Sequence, residues 1–329
     1  MTSVSQFRKL LLRWYRASRR DLPWRNTRDP YKIWLSEIML QQTRVETVLP
    51  YYHAFLRRFP DAAALASAPE SEVLAMWAGL GYYSRARNMQ RAAQKIAEAG
   101  AFPADHPCIR RLPGIGDYTA AAVASIAFDL PYAAVDGNVL RVLARVHNDD
   151  GDIGSPVIRR RFQILAQEAL DPRHPGDFNQ AVMELGATLC LPRNPRCLLC
   201  PVQSQCAAHA GGRAGELPIK IKRHQPRQDA LSVAVVSHGD RVLLRQRPAD
   251  AARMAGFWEL PELTDLPSLS HLRPHGSFRH TIVHTTFEVN VFTGGLKRAP
   301  KGTAWLHAAD PSIPLTTITR KALALAGVI

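Results

Sequence analysis

The chain has 329 residues, is 46% hydrophobic and carries 42 Lys and Arg against 28 Asp and Glu, a formal net charge of +14. That length supports a sizeable core and favours two domains, while the lack of any 18–20-residue apolar run excludes a helical membrane span. Eleven basic and eight acidic residues fall in 229–329, leaving 31 and 20 in 1–228, so the first two-thirds suit a polyanion such as nucleic acid, unless the arginines are simply a solvated surface.

The opening "MTSVSQFRKLLLRWYRAS" spaces Phe7, Leu10, Leu11, Trp14 and Tyr15 along one helix face. Arginine and lysine break its apolar runs, so it does not read as a secretion signal, and a reducing, cytoplasmic setting is expected. "FPDAAALASAPESEVLAMWAGLG" predicts two short helices parted at Pro69, and "SRARNMQRAAQKIAEAG" a helix closing at Gly100. Helical patterns continue in "YTAAAVASIAF", "NVLRVLARVH", "SPVIRRRFQILAQEAL" and "DFNQAVMELGATLC". With short Gly, Pro and Asp connections between them, residues 1–210 are expected to form an all-α domain.

Within that domain three stretches point beyond packing. In "DPYKIWLSEIMLQQTRV", helical spacing sets Glu37 among Ile33, Trp34, Ile38 and Gln41. A carboxylate among apolar neighbours acquires a raised pKa, the property a general acid needs near neutral pH. The alternative is a rotated helix in which Glu37 pairs with Arg44 or another base. "RRLPGIGDYTAAAVASIAF" puts Gly114 and Gly116 in a hairpin ahead of an alanine-rich helix. Its backbone N–H groups, next to a helix start, suit a phosphate, although the same glycines serve an ordinary helix connection. Asp136 precedes "NVLRVLARV" and suits its N-cap. An anion fixed there also stabilises positive charge developing on a substrate.

Four of the five cysteines, Cys190, Cys197, Cys200 and Cys206, share "CLPRNPRCLLCPVQSQC", while Cys108 stands apart. Clustered thiols in a reducing compartment bind metal more often than each other. The spacing contains one tight pair, so it leaves structural zinc and an iron–sulfur cluster both open. Helical periodicity then stops, and "GGRAGELPIKIKRHQPRQ" reads as a basic linker at 211–228. Residues 229–329 change to an α+β pattern. "ALSVAVVSHGDRVLLRQRP" is a strand–turn–strand, "TIVHTTFEVNVFTG" a further strand region, and "TTITRKALALAG" a closing helix. "RVLLRQRPADAARMAGFWELP" is similar to hydrolases of nucleoside diphosphate derivatives, but their acidic metal-binding helix is missing after Gly256.

"DLPWR", "SEIMLQQTRVETV", "GLGYYSRARN", "LPGIGDYTA", "AVDGNVLRVLAR" and the four-cysteine loop, in that order over residues 20–206, resemble the adenine-specific DNA glycosylases of the helix-hairpin-helix endonuclease III superfamily. The resemblance implies one [4Fe–4S] cluster on Cys190, Cys197, Cys200 and Cys206. Its substrate would be double-stranded DNA with adenine opposite 8-oxoguanine or guanine, attacked after base flipping. By the same resemblance Glu37 protonates the adenine ring, Asp136 stabilises an oxocarbenium-like sugar, and Tyr118 and Asn138 support that step. Arg25 and Gln180 line the base pocket, and Gln42, Thr43, Leu80 and Tyr82 push into the duplex. The family's lesion-reading segment typically carries Phe-Ser-His; this chain has Phe278, Arg279 and His280. Arginine in place of serine brings a charge and several donors, and leaves the preference for 8-oxoguanine over guanine open. A monomer on chromosomal DNA is expected, with protein partners unassigned.

Three competing readings lie close by. A pyrimidine-specific relative that also cuts the backbone needs an amine nucleophile in the hairpin. Tyr118 takes that place, and lysine is absent from 96–219. A non-catalytic DNA-binding iron–sulfur protein, or one that only transfers electrons, leaves Glu37 without a purpose.

Overall fold

The computed structural model describes residues 3–221, 227–248, 250–251, 254–282, 284–296, 298–310 and 313–329. Contacts divide the chain into two units, Met1–Ser67 with Asn88–Ile221, and Ala68–Arg87 with Lys222–Ile329. The segment 68–87, although helical in pattern, groups with the second unit. There Tyr83 packs on Phe257 with ring centroids 4.2 Å apart.

The helices run in order α1 (Val4–Ser18), α2 (Pro30–Leu40), α3 (Val45–Arg58), α4 (Ala62–Ser67), α5 (Glu70–Met76), α6 (Ser84–Ala99), α7 (His106–Arg111), α8 (Asp117–Phe128), α9 (Gly137–His147), α10 (Pro156–Ala169), α11 (Pro175–Thr188) and the short α12 (Ala207–Ala210). Local chemistry sets their starts. The side chains of Ser3, Asp29, Asp105 and Asp136 accept first-turn N–H groups of α1, α2, α7 and α9, each cap contributing about 1 kcal/mol. Prolines open α2, α10 and α11, where the donor they lack has no helical acceptor.

In the first unit α1, α9, α10 and α11 share a core that includes Phe7, Leu11, Tyr15, Leu143, Phe162 and Phe178. Leu12 is buried there, while Leu10 and Trp14 only flank it, a small rotation of the expected α1 face. The helix α2 behaves differently, being buried continuously from Ile33 to Met39. It runs through the interior, so a polar residue on it meets protein on any side.

The second unit contains β1 (Arg227–Val235), β2 (Ser237–His238), β3 (Arg241–Gln246), β4 (Trp258–Glu259), β5 (Ser270–Ile282), β6 (Thr285–Gly295), β7 (Thr303–Leu306) and α13 (Thr317–Leu325). One sheet runs β1-β6-β5, with β1 parallel to β6 and β5 antiparallel to it. The other runs β2-β3-β4, with β7 on β3. The expected first hairpin is thus shorter than its sequence suggests, because only Ser237 and His238 pair with β3. Burial explains the difference. Val233 and Val235 enter one core, and Ala234 and Val236 another, and a strand covered on both faces is placed by its cores rather than by a local turn.

Part of the expected linker is packed. Ala214 and Leu217 are buried with Ala208 beside Cys197 and Cys206, and β1 begins at Arg227. Residues 222–226 lie outside the described residues. Among the described residues, no helix is long and apolar enough to cross a membrane.

Candidate active site

Glu37 stands near the middle of α2 at 7% exposure, and its neighbours decide its protonation. The phenol of Tyr118, in the first turn of α8, donates to its Oε2 at 2.6 Å. Burial drives the Glu37 pKa up to about 7; the Asp136 charge pushes the same way, and the Tyr118 hydrogen bond and Arg25 charge pull against it. Arg44, the alternative partner, is exposed ahead of α3. Gln41 caps the end of α2, with its side-chain amide 3.4 Å from Thr119 Oγ1.

Asp136 is the N-cap of α9. Its Oδ1 accepts from the Val139 N–H at 2.7 Å, and its Oδ2 from Asn138 Nδ2 at 2.8 Å. Burial raises its pKa above the ordinary carboxylate value, and these two donors oppose the rise. The site therefore holds two carboxyl groups in unlike surroundings. Burial sets the first near neutrality, and the second is held by donors as a cap, the unlike environments that a division into acid and stabiliser requires.

Beside them lies an arginine clasp. Arg25 Nη2 donates to Glu184 Oε2 at 2.7 Å and its Nη1 to the Arg20 carbonyl at 3.1 Å. Glu184, 1% exposed on α11, also accepts the backbone N–H, Nε and Nη2 of Arg20 at 3.1, 2.9 and 2.7 Å. Burial acts to raise the Glu184 pKa, but the donors from Arg20 and Arg25 hold it down at about 2. Gln180 lies one helical turn earlier on the same side of α11. Arg25 and Gln180 line a cavity of about 330 Å³ together with Arg19, Thr27, His174 and Asp177. That lining stops short of Glu37.

The hairpin between α7 and α8 requires one glycine of its two. Gly114 has φ +76°, and a Cβ there would meet Asn88 Cβ at 2.6 Å. Gly116, at φ −91°, is the N-cap of α8 and needs no special conformation. Asp117, exposed in the first turn, is paired with Arg110, which offsets a negative charge at the anion-binding end of the helix.

Gln42 and Thr43 follow α2. Gln42 is exposed and left-handed at φ 60°; Thr43 is half-buried, with its hydroxyl 3.4 Å from the Gln41 carbonyl. In the other unit Tyr82 is also left-handed, at φ 48°, and is 50% exposed. Leu80, expected to push into a duplex, is instead buried at 5% exposure. Arg85 shapes this loop. Its Nη2 donates to the carbonyls of Leu80 and Gly81, and its guanidinium lies 5.3 Å from the Trp77 ring and 5.6 Å from the Tyr82 ring. Both residues hold a left-handed conformation that costs a non-glycine side chain some strain.

Phe278, Arg279 and His280 do not form one surface. Strand alternation turns Phe278, partly buried, against the core of the second unit, under Lys321 at 5.9 Å, and leaves Arg279 exposed opposite Glu288. Burial, with the Lys321 charge, lowers the His280 pKa.

Cys190, Cys197, Cys200 and Cys206 line one small cavity with Arg145. Burial pushes the Cys200 thiol up to about 12, and the three other thiols add to the effect. Among the described residues no His, Cys, Asp or Glu group is set to hold a single metal ion. Two buried arginines of α9 grip this loop. Arg141 donates to the Cys190 carbonyl at 2.7 Å and to Asn138 Oδ1 at 2.8 Å. Arg145 reaches the Leu191 carbonyl at 2.7 Å and Cys190 Sγ at 3.3 Å. Sequence reasoning missed Arg20, Glu184, Arg85, Arg141 and Arg145. The readable sign was Arg141 and Arg145 at i and i+4 in an otherwise apolar helix.

Residues 35–167 match the HhH-GPD superfamily of base excision DNA repair proteins. The chain is 38% identical to the adenine DNA glycosylase of Mus musculus, over 92% of this chain and 73% of that one. It is 36% identical to the adenine DNA glycosylase of Homo sapiens, over 97% and 74%. Among solved structures, a thermostable thymine-DNA glycosylase superposes with a TM-score of 0.56 at 30% identity, over 63% of this chain and 97% of that one.

Proposed function

This chain belongs to the adenine DNA glycosylase family of base excision repair enzymes, and on that premise we propose that it removes adenine mispaired with 8-oxoguanine or guanine. The observation that carries the chemistry is Glu37, buried, hydrogen-bonded by Tyr118 and holding a proton up to about pH 7. In this reading Glu37 donates to a ring nitrogen of the flipped adenine, turning the base into a neutral leaving group. Asp136, fixed by Val139 and Asn138, stabilises the positive charge that grows on the sugar. Tyr118 fixes the orientation of Glu37, and water completes hydrolysis. Arg25 and Gln180 contact the base. The Gly114–Gly116 hairpin holds a backbone phosphate, and Gln42 and Thr43 enter the duplex beside the flipped base. Tyr82, exposed on its own unit, is a separate DNA contact. A phenol rather than an amine meets Glu37, which supports simple base removal without backbone cutting.

The four cysteines are the ligands of one [4Fe–4S] cluster in this reading. Four thiols around a shared cavity suit the ligand set of such a cluster, and membership of a glycosylase family related to endonuclease III favours it over zinc. When bound, the cluster supplies structural cross-linking of the loop. The protein acts as a cytoplasmic monomer on chromosomal DNA, with residues 1–210 as the glycosylase domain and 229–329 reading the base opposite the adenine.

End-labelled duplexes with adenine opposite 8-oxoguanine, guanine or thymine, and duplexes with oxidised pyrimidines, test this together. Alkali-dependent strand breaks at adenine opposite 8-oxoguanine and guanine are expected. Breaks confined to pyrimidines, or formed without alkali, contradict it. Iron and sulfide analysis of anaerobically purified protein tests the cluster, and one zinc without iron rules it out.

A further inference from the structure

Glu184 is a buried carboxylate of α11 that none of the reacting roles assigned above uses. It accepts four contacts from Arg20 and Arg25 while 1% exposed. A buried ion pair of this kind gives weak stabilisation compared with well-packed apolar residues. Stability alone is therefore a poor reason for it, and its position offers a better one. Glu184 follows Gln180 by one turn on α11, and Arg25, the residue it grips, lines the same cavity as Gln180. Arg25 also stands over the Tyr15 ring at 5.6 Å. Glu184 Oε2 and the Arg20 carbonyl each take one of the five guanidinium N–H donors of Arg25. Among the described residues the remaining three are left for the acceptor atoms of a purine.

We propose that Glu184 is a positioning residue with two effects: it aims Arg25 at the base, and it screens Glu37 from the Arg25 charge. The inference rests on the assignment of Glu37 as general acid. The groups that act on Glu37 are Tyr118 from α8, Asp136 ahead of α9 and Arg25 from the turn before α2, with Arg25 as the cation among them. An Arg25 charge without its counter-ion pulls harder on the Glu37 proton. Removing the Glu184 charge therefore lowers the pH at which the acid is lost, and removing the Arg25 charge raises it.

The test is single-turnover excision of adenine opposite 8-oxoguanine from pH 5 to 9, using the full-length cluster-loaded protein. Glu184→Gln keeps the side-chain volume. Its alkaline midpoint is expected below the parent's. Arg25→Gln moves the midpoint upward, and the double variant returns it close to the parental value. Thermal unfolding of each variant accompanies the rates; should Glu184→Gln fail to fold, the upward shift in Arg25→Gln and the near-parental double variant carry the test. Rates lowered by the same factor at every pH, with unmoved midpoints, make Glu184 a structural residue and overturn the inference alone. A parent that excises no adenine at any pH overturns the underlying assignment as well.

Discussion

Replacing Tyr118 with Phe removes one oxygen and leaves the ring in place, so it isolates the hydrogen bond to Glu37. That bond is 2.6 Å long and lowers the Glu37 pKa, against burial and the Asp136 charge, which raise it to about 7. A hydrogen bond to a charged acceptor contributes about 1.5–3 kcal/mol, and one to a neutral acceptor about 0.5–1.5. The difference, about 1–1.5 kcal/mol, favours the carboxylate and corresponds to about one pKa unit. Tyr118→Phe should therefore move the loss of the acid from about pH 7 to about pH 8. The sign follows from the role: a general acid works while protonated, so a raised pKa extends activity upward in pH. At pH 8 about a tenth of parental Glu37 holds its proton, against about half in the variant. The variant thus keeps about five times more of its own plateau rate, even if lost orientation lowers that plateau. Single-turnover excision between pH 5 and 9 reads both quantities. A midpoint that stays in place or falls would refute the reasoning, because Tyr118 would then not be stabilising the Glu37 anion.

Three further outcomes are expected. Asp136→Asn retains a good cap for α9, so thermal unfolding should change by less than about 1 kcal/mol while excision falls at least about 10²-fold. Gly114→Ala forces a side chain into a left-handed turn against Asn88; it should destabilise the first unit by about 1–3 kcal/mol in denaturant titrations and weaken binding to every duplex alike. Arg279→Ser, at an exposed position of β5, should weaken all duplexes uniformly and make the salt dependence shallower by about one charge. A change confined to the ratio between 8-oxoguanine and guanine would instead assign Arg279 to base reading.

Much of this site is legible because its parts are local. Asp136 immediately before an apolar helix reads as a cap, and the apolar residues around Glu37 read as burial; both are found. Four cysteines within seventeen residues are visible to any reader. The rest depends on long-range pairing that no window contains. Arg20 and Glu184 are 164 residues apart, and Tyr118 and Glu37 are 81 apart. Their partnership follows from α2, α8 and α11 meeting, not from their own neighbours. The same holds in the second unit, where β1 leaves its adjacent strand for β6. Leu80 shows the opposite case: its motif assigns it to DNA, yet it is 5% exposed, with its backbone N–H on the Trp77 carbonyl. In Phe278, Arg279 and His280 the strand sets Arg279 on the face opposite its two neighbours, a division that the motif alone does not display.

The central claim is that a protonated Glu37 delivers the proton that releases adenine. Glu37→Gln keeps the shape of that side chain and removes the titrating proton. Single-turnover excision on a duplex with adenine opposite 8-oxoguanine, measured beside equilibrium binding of the same duplex, tests the claim most directly. The account predicts a loss of at least about 10²-fold in excision with binding preserved; excision within a few-fold of the parent would contradict it.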